Sequence, residues 1–385
     1  MEDKILFEIK ESHLDTGLRG FPVGTCGTSK VDPTKGLSYR GYFIKELARK
    51  RPIEVIYLLL NGELPDEEQF KQFHEELLTH YVDDPGLVKH LDSLPKNSHP
   101  MNWFISALNY YGMIHNTKDW RKDALKVIIN IPTLVARIYQ VYYGWERINP
   151  KPELGYMENF VHMISPPNKN PKLIDLMNVF DILHYDHGGG NLSTFVGKAV
   201  SSGHADMFES LIGAMCGLAG PLHGKANQEC FRFIQECYDA IGTPDDEQVI
   251  IDYLEKLLAS GKVIFGFGHA VLRVEDTRAT ILYELGKEIS ATDPYFNLAL
   301  KIRTAGTKLL SQKEKISNPY PNVDAVTGTL LNAMGLTDSN FYTVLFGMSR
   351  CIGIACQIYH DRVTARNGKG NPIVRPKYIY TGPVR

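Results

Sequence analysis

The sequence lacks most features that would assign a chain to a class at sight. No apolar run reaches the ~20 residues that a membrane span requires. The formal net charge is −2, so nothing draws the chain electrostatically to a polyanion; neither nucleic acid nor membrane is expected as a partner. Six cysteines stand at 26, 216, 230, 237, 351 and 356. They form no C-x-x-C pair, which argues against a disulfide framework and for reduced thiols. There is no repeat of fixed period and no low-complexity tract. Strand signals are few, at residues 5–9 and 377–380. The N-terminus, Met1-Glu2-Asp3-Lys4-Ile5, is acidic and unlike a secretory signal or an Arg-rich transit peptide, so a cytoplasmic setting is expected. Nucleotide loops fail as well. A Walker A reading of Gly224-Lys225 meets Ala219 and Ala226 where glycine and Ser or Thr belong, and no third glycine completes a dinucleotide fingerprint at Gly266-Phe267-Gly268.

What remains is helix. The 385 residues, 43% hydrophobic and 22% charged, give room for two lobes of a globular protein. Apolar residues recur at helical spacing over 66–81, over 124–143 with Pro132 as a kink or break, and along Leu173, Leu176, Met177, Phe180 and His184. The same pattern predicts helices at 192–218, 226–241, 245–260, 277–289, 294–312 and 341–363. Loops are expected at 166–171 and 367–372. The reading is an all-α fold, with the chain crossing between lobes near Gly220-Pro221 and returning after Asp324.

Four separated fragments place titratable side chains among backbone-turning residues: Asp186-His187-Gly188-Gly189-Gly190, Pro221-Leu222-His223-Gly224, Gly266-Phe267-Gly268-His269 and Pro321-Asn322-Val323-Asp324. Glycine beside histidine lets a ligand approach closely. His184 and His187 sit three apart on one predicted helix face, as core histidines or as ligand contacts; H-x-x-H alone does not make a metal site. His223 precedes a predicted helix start, whose dipole favours a neutral imidazole able to donate a hydrogen bond. His269 is followed by Arg273 and Arg278, which suit an anionic ligand or a solvated helix start equally. Asp324 serves as a helix cap or as a base. Arg350 lies in a helix apolar on nearly every face, so it requires an anion: a structural carboxylate or a ligand's.

Together the segments resemble citrate synthases. The matching stretches include Gly17-Leu18-Arg19-Gly20, Gly36-Leu37-Ser38-Tyr39-Arg40-Gly41, Asp186-His187, Gly189-Gly190-Asn191 and Leu218-Ala219-Gly220-Pro221-Leu222-His223-Gly224. Gly268-His269-Ala270-Val271-Leu272-Arg273, Pro321-Asn322-Val323-Asp324, Ser349-Arg350 and Arg375-Pro376-Lys377 follow in the family's order. The wording is closer to the eukaryote-like branch, without its long N-terminal extension. The resemblance implies an all-α homodimer with a large domain, 1–222 and 332–385, and a small domain, 223–331. It implies condensation of acetyl-CoA with oxaloacetate, the si-type reaction, with no metal and no cofactor beyond the coenzyme A thioester as substrate. By motif match Asp324 is the base, His223 the donor to the enol and His269 the acid. His187, Arg278, Arg350 and, across the dimer, Arg375 clamp oxaloacetate. Arg19, Arg273 and Asn322 contact CoA; Ser193, with Asn191, orients His223. Two departures stand out: Gly188 replaces the family's glutamate, and Asn116 replaces an arginine that reaches the partner's CoA, with Lys118 as a substitute. A 2-methylcitrate synthase using propionyl-CoA and a catalytically silent binding paralogue are the competing readings.

Overall fold

A computed structural model describes residues 4–383. The chain is 57% helical, and the all-α expectation holds. Helices at Ala226–Ile241 and Thr277–Ile289 have the predicted bounds. The segment read as one helix over 192–218 is two, Leu192–Ser202 and Met207–Leu218. His204 adopts a φ of 66° in the turn between them, and Asp206 recaps the chain by accepting from the Glu209 N–H. Trp120–Tyr143 runs unbroken through Pro132. Proline there removes one hydrogen bond, which the surrounding burial outweighs.

The two predicted strands are not formed: residues 5–9 and 377–380 are irregular and mostly exposed. Strands lie instead at Ser29–Asp32, Gly36–Tyr39 and Tyr42–Phe43, an antiparallel sheet in sequence order. Its register pairs Ser29 with Tyr39 and Ser38 with Phe43. The sheet brings Thr28 and Tyr39 under the loop that follows the Leu173–His184 helix.

Two helices, Trp120–Tyr143 and the stretch Ser339–Thr364, are long and apolar enough to cross a membrane. Their most apolar windows are 83% and 100% buried inside the protein, so they are core helices. Tyr342–Tyr359 is enclosed on all sides. It packs against the loop at Tyr185 so closely that a Cβ on Gly353 would lie 1.8 Å from the Tyr185 carbonyl oxygen. A second, smaller core joins Phe233, Ile234, Leu254, Leu298, Ile302 and Leu309. It comes from the Ala226–Ile241, Glu247–Ala259 and Pro294–Ser311 helices. Phe231, Leu282 and Val326 pack into the main core, so this smaller cluster leans on the larger one.

Candidate active site

The chain ends of four helices and one buried helix interior bring the singled-out side chains together. The Leu173–His184 helix stops at His184, so His184 and His187 do not share a helix face, contrary to the periodicity reading. His184 is a core histidine: it is stacked on Phe180 at 4.1 Å, with Nδ1 2.7 Å from the Phe180 carbonyl. Burial pulls its pKa to about 3. His187 turns the other way. Its ring meets the His269 ring edge-on at 5.2 Å, and its buried Nε2 has no partner among the described residues. Burial, then the Arg278 guanidinium, holds it well below the ordinary histidine range.

Two arginines face this pair. Arg278 donates from Nε and a terminal nitrogen to Asp276, at 3.1 and 2.7 Å. Asp276 also caps the Thr277–Ile289 helix by accepting from the Arg278 N–H. Arg350 is 2% exposed, with Nε donating to the His184 carbonyl at 2.9 Å and its guanidinium 4.9 Å above the Phe346 ring. No carboxylate pairs with it among the described residues. Burial, then repulsion from Arg278, brings its pKa down to about 10. The structural-carboxylate alternative for Arg350 thus finds no partner among the described residues, and its terminal nitrogens make no hydrogen bond there.

Hydrogen bonds fix the tautomers of the other two histidines. His269 Nδ1 accepts from the backbone N–H groups of Val271 and Leu272 at 3.0 and 2.9 Å. Backbone N–H groups only donate, so the proton of neutral His269 sits on Nε2. His223 Nε2 lies 2.8 Å from Ser193 Oγ and accepts from the Ser193 N–H at 3.3 Å; its proton therefore sits on Nδ1. Ser193 Oγ is also 3.0 Å from Asn191 Oδ1, and Asn191 caps the Leu192–Ser202 helix. Burial first, then a nearby guanidinium, lowers both histidines to about 4, through Arg350 for His223 and Arg278 for His269. Both are neutral donors at neutral pH.

Asp324 is the first residue of its helix, after the N-cap Val323, so its side chain is not spent on capping. Burial lifts its carboxyl to about 6 against the pull of Arg278. Asn322 tightens the turn before it, accepting from the Asp324 N–H at 3.0 Å and donating to the Gly268 carbonyl at 3.1 Å. Gly266 faces this turn with a φ of 81° and would drive a Cβ to 2.8 Å from Ala325 Cα and Cys230 Sγ. Only glycine fits there without strain.

The structure leaves the remaining named residues outside this cluster. Arg19 is exposed, and its side chain makes no hydrogen bond or ion pair among the described residues. Arg273 is exposed and donates to the Val271 and Leu272 carbonyls at 3.0 and 2.8 Å. Arg375 lies in an exposed terminal segment, and its side chain makes no hydrogen bond or ion pair among the described residues. Asn116 donates to Asp206, and Lys118 is exposed with a φ of 62°.

Sequence reasoning missed Asp276 as the partner of Arg278, and missed Thr28 and Gln357, which donate to Asp186 at 2.5 and 2.7 Å. Asp276 carried one signal, an aspartate just before a helix start. Single ligand atoms of His187, His269 and Asp276 lie within 4.8 Å of one another, the spacing of a metal site. Both Asp276 oxygens are engaged by Arg278, however, and a cation there would face that guanidinium. An anion suits the arrangement better. A cavity of about 490 Å³ lined by Arg51, Phe70, His74, Glu158 and Asn178 includes none of these residues.

Two neutral imidazoles, one carboxylate of raised pKa and two buried guanidinium groups thus gather on an all-α scaffold, a set of groups suited to acid–base chemistry. The sequence profile described as "Citrate synthase, C-terminal domain" matches residues 17–377. The mitochondrial citrate synthase of Citrus maxima is 37% identical over 388 residues, covering 94% of this chain and 81% of that protein. The mitochondrial citrate synthase of Xiphias gladius is 35% identical over 391 residues, covering 95% and 82%. The ternary complex of carboxymethyl coenzyme A and oxaloacetate with citrate synthase from Thermoplasma acidophilum has a similar fold. Its TM-score is 0.83 at 25% identity, with 96% of each chain covered. Citrate synthase from Pyrobaculum aerophilum gives a TM-score of 0.83 at 28% identity, covering 100% of this chain and 97% of that one. The chain belongs to the citrate synthase family and is a transferase-type enzyme.

Proposed function

We propose that the chain condenses acetyl-CoA with oxaloacetate and water to give citrate and CoA. The observation that carries this reading is the pair of fixed tautomers. His223 presents Nδ1–H and His269 presents Nε2–H, and burial lifts the Asp324 carboxyl to about 6. At neutral pH Asp324 is mostly ionised and takes a proton from the thioester methyl. That transfer is uphill, so the developing oxygen charge needs a positioned donor, and His223 Nδ1–H supplies it. The enol carbon attacks the keto carbon of oxaloacetate while His269 Nε2–H delivers its proton to the keto oxygen. Citryl-CoA is then hydrolysed.

His187, Arg278 and Arg350 hold the two oxaloacetate carboxylates, with Arg375 from a second subunit completing the clamp. Arg19, Arg273 and Asn322 are assigned to CoA on motif match, and Ser193 and Asn191 hold the tautomer of His223. The exposed apolar side chains of both terminal segments, Ile5, Leu6, Ile9, Tyr378 and Ile379, support a homodimer that covers them. Residues 223–331 are read as a small domain that closes over oxaloacetate and excludes water before the thioester reacts. The coenzyme A thioester is a substrate, and no separate cofactor is invoked. A cytoplasmic setting is part of this proposal, whereas the Citrus and Xiphias relatives are mitochondrial.

The test is thiol release from acetyl-CoA and from propionyl-CoA, each with and without oxaloacetate. Release from acetyl-CoA that depends strictly on oxaloacetate supports the reading. Faster turnover of propionyl-CoA moves it to 2-methylcitrate synthesis, a difference of one methylene worth ~1–3 kcal/mol. No release from either assigns the chain to a silent paralogue.

A further inference from the structure

Behind the ligand-facing side chains lies a buried carboxylate for which the proposed chemistry has no use. Asp181, in the Leu173–His184 helix, is 0% exposed. Its Oδ1 accepts from Ser349 Oγ at 2.7 Å and its Oδ2 from the Tyr185 hydroxyl at 2.5 Å. No cation pairs with it among the described residues. A carboxylate buried without a counter-ion is costly, and a leucine would fill the position without that cost.

The two donors sit at informative places. Ser349 immediately precedes Arg350. Tyr185 lies between His184, whose carbonyl holds Arg350 Nε at 2.9 Å, and Asp186, whose Oδ1 accepts the His187 N–H at 2.7 Å. One carboxylate is thus bonded to the chain neighbours of both sides of the clamp. The joint is short, because Gly353 admits the Tyr185 backbone into the Tyr342–Tyr359 helix. Burial raises Asp181 to about 7, which suits a group kept for its hydrogen bonds rather than its charge.

We infer that Asp181 is a positioning residue for oxaloacetate affinity: through Tyr185 and Ser349 it sets His187 and Arg350 at a fixed separation across the joint between two helices. The inference rests on the proposed role of those two residues as the oxaloacetate clamp.

The test uses calorimetric oxaloacetate binding together with steady-state kinetics on the full chain. Asp181→Leu, close in volume, is expected to raise both the Kd and the KM for oxaloacetate about tenfold or more, the loss of two hydrogen bonds to a carboxylate. Its kcat at saturating oxaloacetate and its KM for the thioester should stay within about twofold, a split that general destabilisation would not produce. Asp181→Asn, whose amide can re-pair with both hydroxyls, should recover most of the affinity. If Asp181→Leu does not fold, Tyr185→Phe and Ser349→Ala carry the test, each expected to weaken oxaloacetate binding about threefold or more. Unchanged oxaloacetate affinity in folded Asp181→Leu, or in both single-donor variants, overturns the inference while leaving the proposed function standing. A wild type that binds no oxaloacetate removes the proposed function, and this inference with it.

Discussion

Replacing Asp324 by asparagine should make the protein more stable at pH 8 and no more stable at pH 4, while abolishing turnover. The reasoning starts from the carboxyl, lifted from an ordinary 3.8 to about 6 by burial. A carboxylate whose folded pKa is raised opposes folding once it is ionised. The protein therefore loses stability as pH rises from about 4 to about 6, and the full penalty is present above that range. A shift of about two units corresponds to roughly 2–3 kcal/mol, before discount for the partial solvent access of the side chain. The amide is nearly isosteric and never ionises, so it escapes the penalty. The attraction to Arg278, which asparagine forfeits, is already included in the net shift.

The measurement is thermal or urea unfolding of wild type and Asp324→Asn at pH 4 and pH 8, alongside turnover at pH 8. The expected pattern is a gap of a few degrees in Tm that opens between the two pH values, with turnover lost by at least about three orders of magnitude for removal of the base. A gap of equal size at both pH values would refute the idea that ionisation of Asp324 is the destabilising event. Retained turnover would place the base elsewhere. The kcat/KM of the wild type should also fall below about pH 6 with the ionised fraction, about nine tenths at pH 7 and about one tenth at pH 5.

Two further outcomes follow from the same geometry. Arg350→Lys keeps a charge but loses the fork and the Nε bond to His184, so the oxaloacetate KM should rise about 10- to 100-fold, measured by steady-state kinetics; an unchanged KM would mean that its free nitrogens hold no substrate. Mixing inactive Arg375→Ala with inactive His269→Ala subunits should restore part of the activity, since one site of each heterodimer would pair intact His269 with an intact Arg375 from the other chain; confirmed heterodimers without activity would show that Arg375 does not act across the interface.

The parts legible in the sequence were those in which one residue contradicts its surroundings. Arg350 stood out because a guanidinium in an apolar helix needs an anion, and no carboxylate forms an ion pair with it among the described residues. The glycines around His187 and His269 stood out as places for close approach of a ligand; at Gly266 the neighbour is the protein itself, since a Cβ would meet Ala325 and Cys230. What stayed hidden depends on pairs far apart in the chain. Thr28 and Gln357 meet Asp186 across 158 and 171 residues, and nothing local marks either of them. The hairpin at Ser29–Asp32 and Gly36–Tyr39 was missed because four-residue strands carry too little alternation to register. The terminal segments were read as strands because they are apolar. Those side chains are exposed, and no strand pairs with them among the described residues. The capping box at Asp206 and Glu209 was readable and would have divided 192–218 in two.

The charges around the cleft form a single device. Burial is the largest cause of the lowered pKa of His187, His223 and His269, and in each the next cause is Arg278 or Arg350. The guanidinium groups assigned to the substrate thus add to burial in holding the three imidazoles below their ordinary range. On the proposed reading, oxaloacetate brings two negative charges to those arginines and cancels much of their field. The imidazoles then rise toward their ordinary range and become easier to protonate. His269 must surrender its Nε2 proton to the keto oxygen and later recover one. Its readiness to be reprotonated would therefore depend on the dianion at Arg278, and Asp276, bonded to the same guanidinium, prevents that field from falling on the histidines at full strength.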